Sequence, residues 1–201
     1  SVPAVLATLV SDELHFPNLS MVGVDDRAAA HTAVAHLIAQ GHSKIAVLGG
    51  PATSFPSRMR RLGAQDAMEQ AGLIFDDRLY GLSNYDFESA YHAMNSLLAR
   101  RAEFTALFAM SDVIAFGAIR ALVSAGFRVP QDVSVIGFDG ITMSRYCVPV
   151  MTTIVQPSEQ IALQSIELLI NQIEHGAPAQ TITLQPELQQ GESVCPCRHP
   201  L

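Results

Sequence analysis

Four apolar, strand-like runs in this chain each end in a polar cluster. Residues 44–49 lead into Thr53, Ser54 and Arg58 to Arg61. Residues 78–82 lead into Asn84, Tyr85 and Asp86. Residues 105–110 lead into Ser111 and Asp112, and residues 133–138 lead into Asp139. The chemistry these groups could do is non-covalent recognition of a small polar molecule. A guanidinium such as that of Arg60 holds several donors in a fixed fork, suited to hydroxyls or a carboxylate, although Arg60 and Arg61 could equally be solvated helix surface. The Asp139 carboxylate can accept two hydroxyl protons, and the flanking Gly137 and Gly140 suggest close backbone approach; its plain alternative is a turn or cap residue. Tyr85 can stack on a sugar face or a base, or simply pack within its loop. Ser111 suits a helix N-cap, a ligand contact, or both. Asp112 reads as a carboxylate that favours the helix N-terminus electrostatically. In an open parallel sheet, ligands bind just outside the carboxyl ends of the strands, so these groups should converge on one crevice.

Other chemistries lack their residues. The loop Gly49-Gly50-Pro51-Ala52 has neither the G-x-G-x-x-G spacing nor, at Pro51, a backbone donor, which argues against a dinucleotide site. There is no G-x-x-x-x-G-K-[ST] phosphate loop and no G-x-S-x-G elbow. With no nucleophile–base pair, no enzyme activity is expected, and no cofactor. Cys195, Cys197 and His199 offer three candidate metal ligands where structural zinc wants four, so no metal is expected either. His31, His36, His42, His92 and His175 show no metal spacing and read as surface or capping residues.

The elements that must position these groups alternate. A helix capped by Asp25 or Asp26 runs to about residue 40, with Ala30, Ala33, Val34, Leu37 and Ile38 on its apolar face. A helix from about 57 to 71 carries Met59, Leu62, Met68 and Ala71. One capped by Asp86 carries Ala90, Ala93, Met94, Leu97 and Leu98. One capped by Ser111 carries Ala115, Ile119, Leu122 and Val123. Strands alternating with helices predict an α/β fold with parallel sheets covered on both faces. Two pieces stand outside this series: the strand-like residues 3–10 and 21–24, and a long helix after Pro157, capped by Ser158, with Ala162, Ile166, Leu169 and Ile173 as its apolar face. They read as part of a second lobe. The expected division is residues 1–23 with 157–178 as the remnant of an N-terminal lobe, 24–156 with 179–194 as the C-terminal lobe, and 195–201 as a tail. Because Ser1 stands directly before what reads as a mid-sheet strand, the chain is expected to be the C-terminal part of a longer protein.

The 201 residues are 49% hydrophobic and 15% charged, enough for a substantial core. A net charge of −7 argues against this chain gripping nucleic acid itself, because phosphate binding needs clustered Lys and Arg. Three cysteines, an odd and low count, fit a reducing cytoplasm. No apolar run reaches the length of a bilayer span, so no membrane partner is expected.

Several stretches carry a family likeness. Residues 40–51, QGHSKIAVLGGP, resemble the G-H-x-x-I-A-x-[LI]-x-G-P motif of the lactose/galactose repressor (LacI) family. Arg60-Arg61-Leu62-Gly63 with Ala67-Met68 is similar to its R-x-x-G-[FY]-x-x-A-[LM], Ser111-Asp112 to its strand-end N-D or S-D, and residues 151–157, MTTIVQP, to its L-T-T-[IV]-x-Q-P crossover. Residues 128–139, RVPQDVSVIGFD, are the most specific match. The resemblance covers about residues 1–194. It implies a periplasmic-binding-protein-like fold of type I, with two parallel-sheet lobes and an effector between them; the N-terminal lobe is incomplete here and the helix-turn-helix is absent. Family effectors are mostly sugars or their derivatives. By resemblance the effector residues are Arg60, Ser111, Asp139 and Tyr85, with Thr8 standing where the first strand often ends in Asp. Asn84 and Ala64 also depart from the commoner Asp and aromatic. The implied function is an effector-binding and dimerisation domain of a transcriptional regulator, with operator DNA bound through the missing domain and a homodimer; the residues around Phe116 and Tyr146-Cys147 are expected, on our own reading, to form part of that contact. The alternative on the same fold is a sugar-binding protein of a transport system.

Overall fold

The computed structural model describes residues 2–197. In chain order the elements are β1 (Ala4–Ala7), β2 (Leu19–Val24), α1 (Asp26–Ala39), β3 (Ile45–Gly49), α2 (Phe55–Gln70), β4 (Tyr80–Leu82), α3 (Phe87–Ala99), β5 (Ala106–Ala109), α4 (Asp112–Ser124), β6 (Ser134–Asp139), β7 (Thr152–Val155), α5 (Ser158–His175), β8 (Thr181–Leu184) and β9 (Glu187–Gln189). They form two compact units. One holds the chain up to Asp25 with Gln156–Glu187, the other Asp26–Val155 with the chain from Leu188 on.

The larger unit is built on a six-stranded sheet ordered β4-β3-β5-β6-β7-β9. Every pairing from β4 to β7 is parallel, with Val47 opposite Phe108 and Gly137 opposite Thr153. The crossover helices pack on the sheet's two faces. Helix α1 packs against α2, and α3 against α4. Strands buried on both sides must be apolar throughout. Accordingly Leu48, Leu107, Phe108, Ile136 and Phe138 are fully buried. From β3 the chain steps outward to β4, then returns past β3 to β5. The carboxyl ends of β3 and β5 therefore flank a point where the winding direction reverses, the place where open α/β sheets bind their ligands.

The helix pairs approach closely because each has a glycine at the crossing. A Cβ on Gly63 of α2 would overlap the backbone carbonyl of Arg27 in α1, and one on Gly117 of α4 would overlap the carbonyl of Phe87 at the start of α3. Backbone cannot yield as a side-chain tip can. Gly63→Ala and Gly117→Ala are each expected to cost about 1–3 kcal/mol, read as a lowered urea midpoint; an unchanged midpoint would mean that the helices separate freely.

In the smaller unit β1, β2 and β8 form a parallel sheet, with Met21 opposite Thr181 and Val24 opposite Leu184. Residues 179–187, expected in the C-terminal lobe, thus belong with the smaller unit, because β8 finds its hydrogen-bond partners on β2. Helix α5 buries Ile161 and Leu168 against Val22, while Ile166 and Ile173 of the expected apolar face are 58% and 64% exposed. The helix is apolar on more than one side, so periodicity alone chose the wrong stripe. Its cap also differs: Pro157 occupies the N-cap position without a side-chain bond, and Ser158 is the first helical residue.

The tail was expected to stand apart. Its described part lies on the larger unit: the Cys195 amide donates to Ser134 Oγ (3.1 Å), and the Cys197 amide to the Gln40 carbonyl (2.8 Å). His42, expected at the surface, is buried beneath it. Its Nε2 lies 3.0 Å from the Cys195 carbonyl and its Nδ1 2.9 Å from Thr105 Oγ1, and burial pushes its pKa down. Arg198 and His199 lie outside the described residues.

Candidate ligand-binding site

Helix α2 brings Arg60 to the reversal point. Ser54 caps the helix, accepting the Ser57 amide at 3.4 Å, and Pro56 fits its first turn. The residues α2 turns inward are Ser57, Arg60, Gly63, Ala64, Ala67 and Met68, a regular stripe that contains one charge; Leu62 and Ala71 of the expected apolar face are exposed. A buried guanidinium needs partners. Arg60 Nε donates to Asp26 Oδ1 (2.7 Å), and Nη1 donates to the Met110 carbonyl at the end of β5. Nη1 also lies 3.6 Å from Asp139 Oδ1 at the end of β6, and the guanidinium sits 3.6 Å from the centre of the Phe138 ring. Asp26, expected as a possible helix cap, is the first residue of α1 and turns its buried carboxylate to Arg60. The fork is thereby fixed through Nε and Nη1.

Asp139 completes β6 with φ of 111°, and Gly140 follows at 70°. A non-glycine residue held there costs about 1–3 kcal/mol and persists only where its surroundings enforce it. Its side chain is 27% exposed. The site thus offers a carboxylate acceptor and guanidinium donors side by side.

The other expected residues fall as follows. Ser111 is the N-cap of α4: its buried Oγ accepts the Ile114 amide at 3.1 Å, directly after the carbonyl that Arg60 holds. Tyr85 follows β4 with φ of 61°; its ring covers Gly50, where a Cβ would overlap it, and its hydroxyl is buried with no hydrogen-bond partner among the described residues. Asp86 caps α3 through the Ser89 amide at 2.8 Å. Thr8 lies in the smaller unit with φ of 68°, its amide donating to the Val22 carbonyl at 2.8 Å. The structure therefore brings Arg60, Asp139 and the backbone beside Ser111 together, with Tyr85 on the next loop of the same sheet edge. Among the described residues, the non-glycine positions with positive φ are Thr8, Tyr85, Arg101 and Asp139. Three of these four are expected site residues, and strain of this kind gathers at functional positions.

The expectation for Asp112 missed its main feature. Its carboxylate is fully buried, accepting the Thr153 hydroxyl at 2.6 Å and the Ile141 amide at 2.9 Å. Burial raises its pKa from 3.8 to about 6, against the lowering effect of those bonds and with the Asp139 charge adding to the rise. Between these values the folded protein holds a proton that the unfolded chain has released, so this group makes stability fall as pH rises from about 4 to 6. A shift of about two units corresponds to about 3 kcal/mol. The wild-type minus Asp112→Asn difference in unfolding free energy is expected to decline across that window by up to that amount, and a flat difference would contradict it.

Known proteins resemble this chain in sequence and fold. Residues 34–194 match the model of the periplasmic binding protein-like domain. The chain is 35% identical over 172 residues to the HTH-type transcriptional repressor CytR of Escherichia coli K12, a match covering 86% of this chain and 50% of that protein. It superposes with a TM-score of 0.84 on the transcriptional regulator CelR in complex with cellobiose, at 32% identity over 90% of this chain and 56% of that one. A sugar-binding LacI-family transcriptional regulator from Escherichia coli, complexed with phosphate, superposes with a TM-score of 0.81 at 30% identity over 89% of this chain and 69% of that one. The chain spans about half the length of the curated relatives it matches. Motifs, fold and likeness agree: the chain belongs to the LacI family, and residues 34–194 are its periplasmic binding protein-like domain.

Proposed function

We propose that this chain is the effector-binding and dimerisation part of a cytoplasmic transcriptional regulator, and that it takes a sugar or sugar derivative at the strand-end edge of the larger unit. The observation that carries this reading is the strained Asp139 carboxylate held beside the fixed fork of Arg60. Neighbouring hydroxyls on one ligand can accept from the Arg60 guanidinium and donate to Asp139, and each hydrogen bond to a charged group contributes about 1.5–3 kcal/mol. Tyr85 and Ser111 complete the proposed set in this unit. The cellobiose complex of one relative and the sugar-binding description of another support the ligand class. No covalent step is involved, so no residue is catalytic. Regulation follows from linkage: a ligand that prefers one arrangement of the regulator shifts the population toward it, and about 1–3 kcal/mol of coupling changes operator affinity usefully. Operator contact belongs to a helix-turn-helix outside these 201 residues.

Thermal unfolding against sugars, sugar phosphates, sugar acids and purines tests the reading. Ligand at a hundred times its dissociation constant adds about 2.7 kcal/mol. At roughly 2–4 °C per kcal/mol for this size, the midpoint should rise by about 5–10 °C for at least one sugar. A response to purines alone would refute the sugar assignment.

The homodimer contact is proposed to include Phe116, partly buried, and Tyr146, 77% exposed, with Cys147 beside it. Alanine at Phe116 and Tyr146 together is expected to shift the solution mass toward the monomer; an unchanged dimer mass would remove these residues from the contact.

A further inference from the structure

The turn after β6 has two successive positive φ angles, a strained one at Asp139 and one that glycine adopts freely at Gly140. Such a turn must be held from outside. The residue placed to hold it is Asp112. From the first position of α4 its carboxylate lies over Gly137, where a Cβ would collide with Asp112 Oδ1. Oδ1 accepts the hydroxyl of Thr153, the β7 residue registered opposite Gly137. Oδ2 accepts the amide of Ile141, two residues beyond Asp139. Asp112 thus grips the chain on both sides of the turn.

We propose that Asp112 is a positioning residue of the ligand-binding edge: laid across Gly137, it ties Thr153 and the Ile141 amide together and so fixes the Asp139–Gly140 turn that aims the Asp139 carboxylate alongside Arg60. This role rests on the reading of that edge as the effector site. The carboxylate form matters, because both oxygens receive donors. An asparagine that still accepts the Ile141 amide would turn its NH2 toward Thr153 Oγ1, which must then change from donor to acceptor. The helix N-terminus alone does not explain the residue, since an acid there is favourable while exposed, whereas this one is fully buried. Facing it are the Asp139 carboxylate on β6, the Thr153 hydroxyl on β7, the Gly140 and Ile141 amides, and the Cys147 thiol of the following loop.

The test uses the ligand-free protein, so it reads the clamp whether or not any compound binds. The Ile141 amide resonance and amide exchange are followed against pH in wild type, Asp112→Asn, Thr153→Val and Thr153→Ser. The Ile141 amide should titrate in wild type and not in Asp112→Asn. Thr153→Val, which removes a bond to the charged form, should move that midpoint upward and speed exchange at Gly140 and Ile141 by about ten-fold, the loss of one hydrogen bond to a charged group. Exchange in β3 should stay unchanged, and Thr153→Ser should restore both readouts. An Ile141 amide indifferent to Asp112→Asn, or exchange rising equally in β3, would overturn the proposal. A clamp that behaves as described in a protein answering to no sugar would instead refute the reading of the edge and leave the clamp standing.

Discussion

Arg60→Ala is expected to lose about 3–5 kcal/mol of folding stability, together with all thermal response to ligand. The loss comes less from the bonds removed than from what stays behind. Asp26 has a side chain 2% exposed, and without Arg60 its buried carboxylate loses the ion pair that Nε gives it. The Met110 carbonyl and the face of Phe138 lose their partner as well. Arg60→Lys keeps a charge but cannot span Asp26, Met110 and the ligand with one fork, so it should fall between. A double replacement, Arg60→Leu with Asp26→Leu, separates the two roles. Removing both buried charges in favour of packed apolar groups is often neutral or stabilising, so this variant should regain most of the stability and none of the ligand response. Urea unfolding gives the first quantity and titration calorimetry the second. A single Arg60→Ala variant that unfolds at the wild-type midpoint would show that the buried pair is not as described.

The second large effect concerns Asp139. Asp139→Gly is expected to be about 1 kcal/mol more stable than wild type: relief of about 1–3 kcal/mol of backbone strain is offset by about 0.5–1 kcal/mol for the freer unfolded chain. Its affinity for the effector should nevertheless fall on the order of a hundred-fold, the equivalent of one or two hydrogen bonds to a charged group. Stability and binding therefore move in opposite directions, as they do where a fold tolerates strain for function. Asp139→Asn keeps the hydrogen-bonding shape and tolerates positive φ, so it should lose less affinity and gain less stability. A glycine variant less stable than wild type would mark Asp139 as a structural residue held by Arg60, and would remove the strain argument for the site.

Much of this was legible in the chain because the signals were local. Strands β3, β5 and β6 announced themselves as apolar runs ending in polar residues, and the side chains of Asp86 and Ser111 cap α3 and α4 as their types suggest. What escaped was set by neighbours distant in sequence. Arg60 is buried because α2 turns Ser57, Gly63, Ala64 and Ala67 inward; reading Met59 and Leu62 as the apolar face hid a stripe of small residues with one arginine in it. The roles of Asp26 and Asp112 depend on partners 34 and 41 residues away, which no local pattern announces. His42 is buried by a tail that returns from position 195. The division into units misplaced residues 179–187 because parallel pairing of β8 with β2 leaves no mark on either strand alone.

The central claim is that ligand binds at the carboxyl ends of the larger unit's strands, and the most direct test is amide-shift mapping with whichever compound gives the largest thermal shift. The account predicts the largest perturbations at residues 49–50, 83–85, 110–112 and 139–141, the strand-end segments that carry or adjoin Tyr85, Ser111 and Asp139. Perturbations gathered at the opposite ends of the same strands, around residues 43–45 and 103–105, would contradict it.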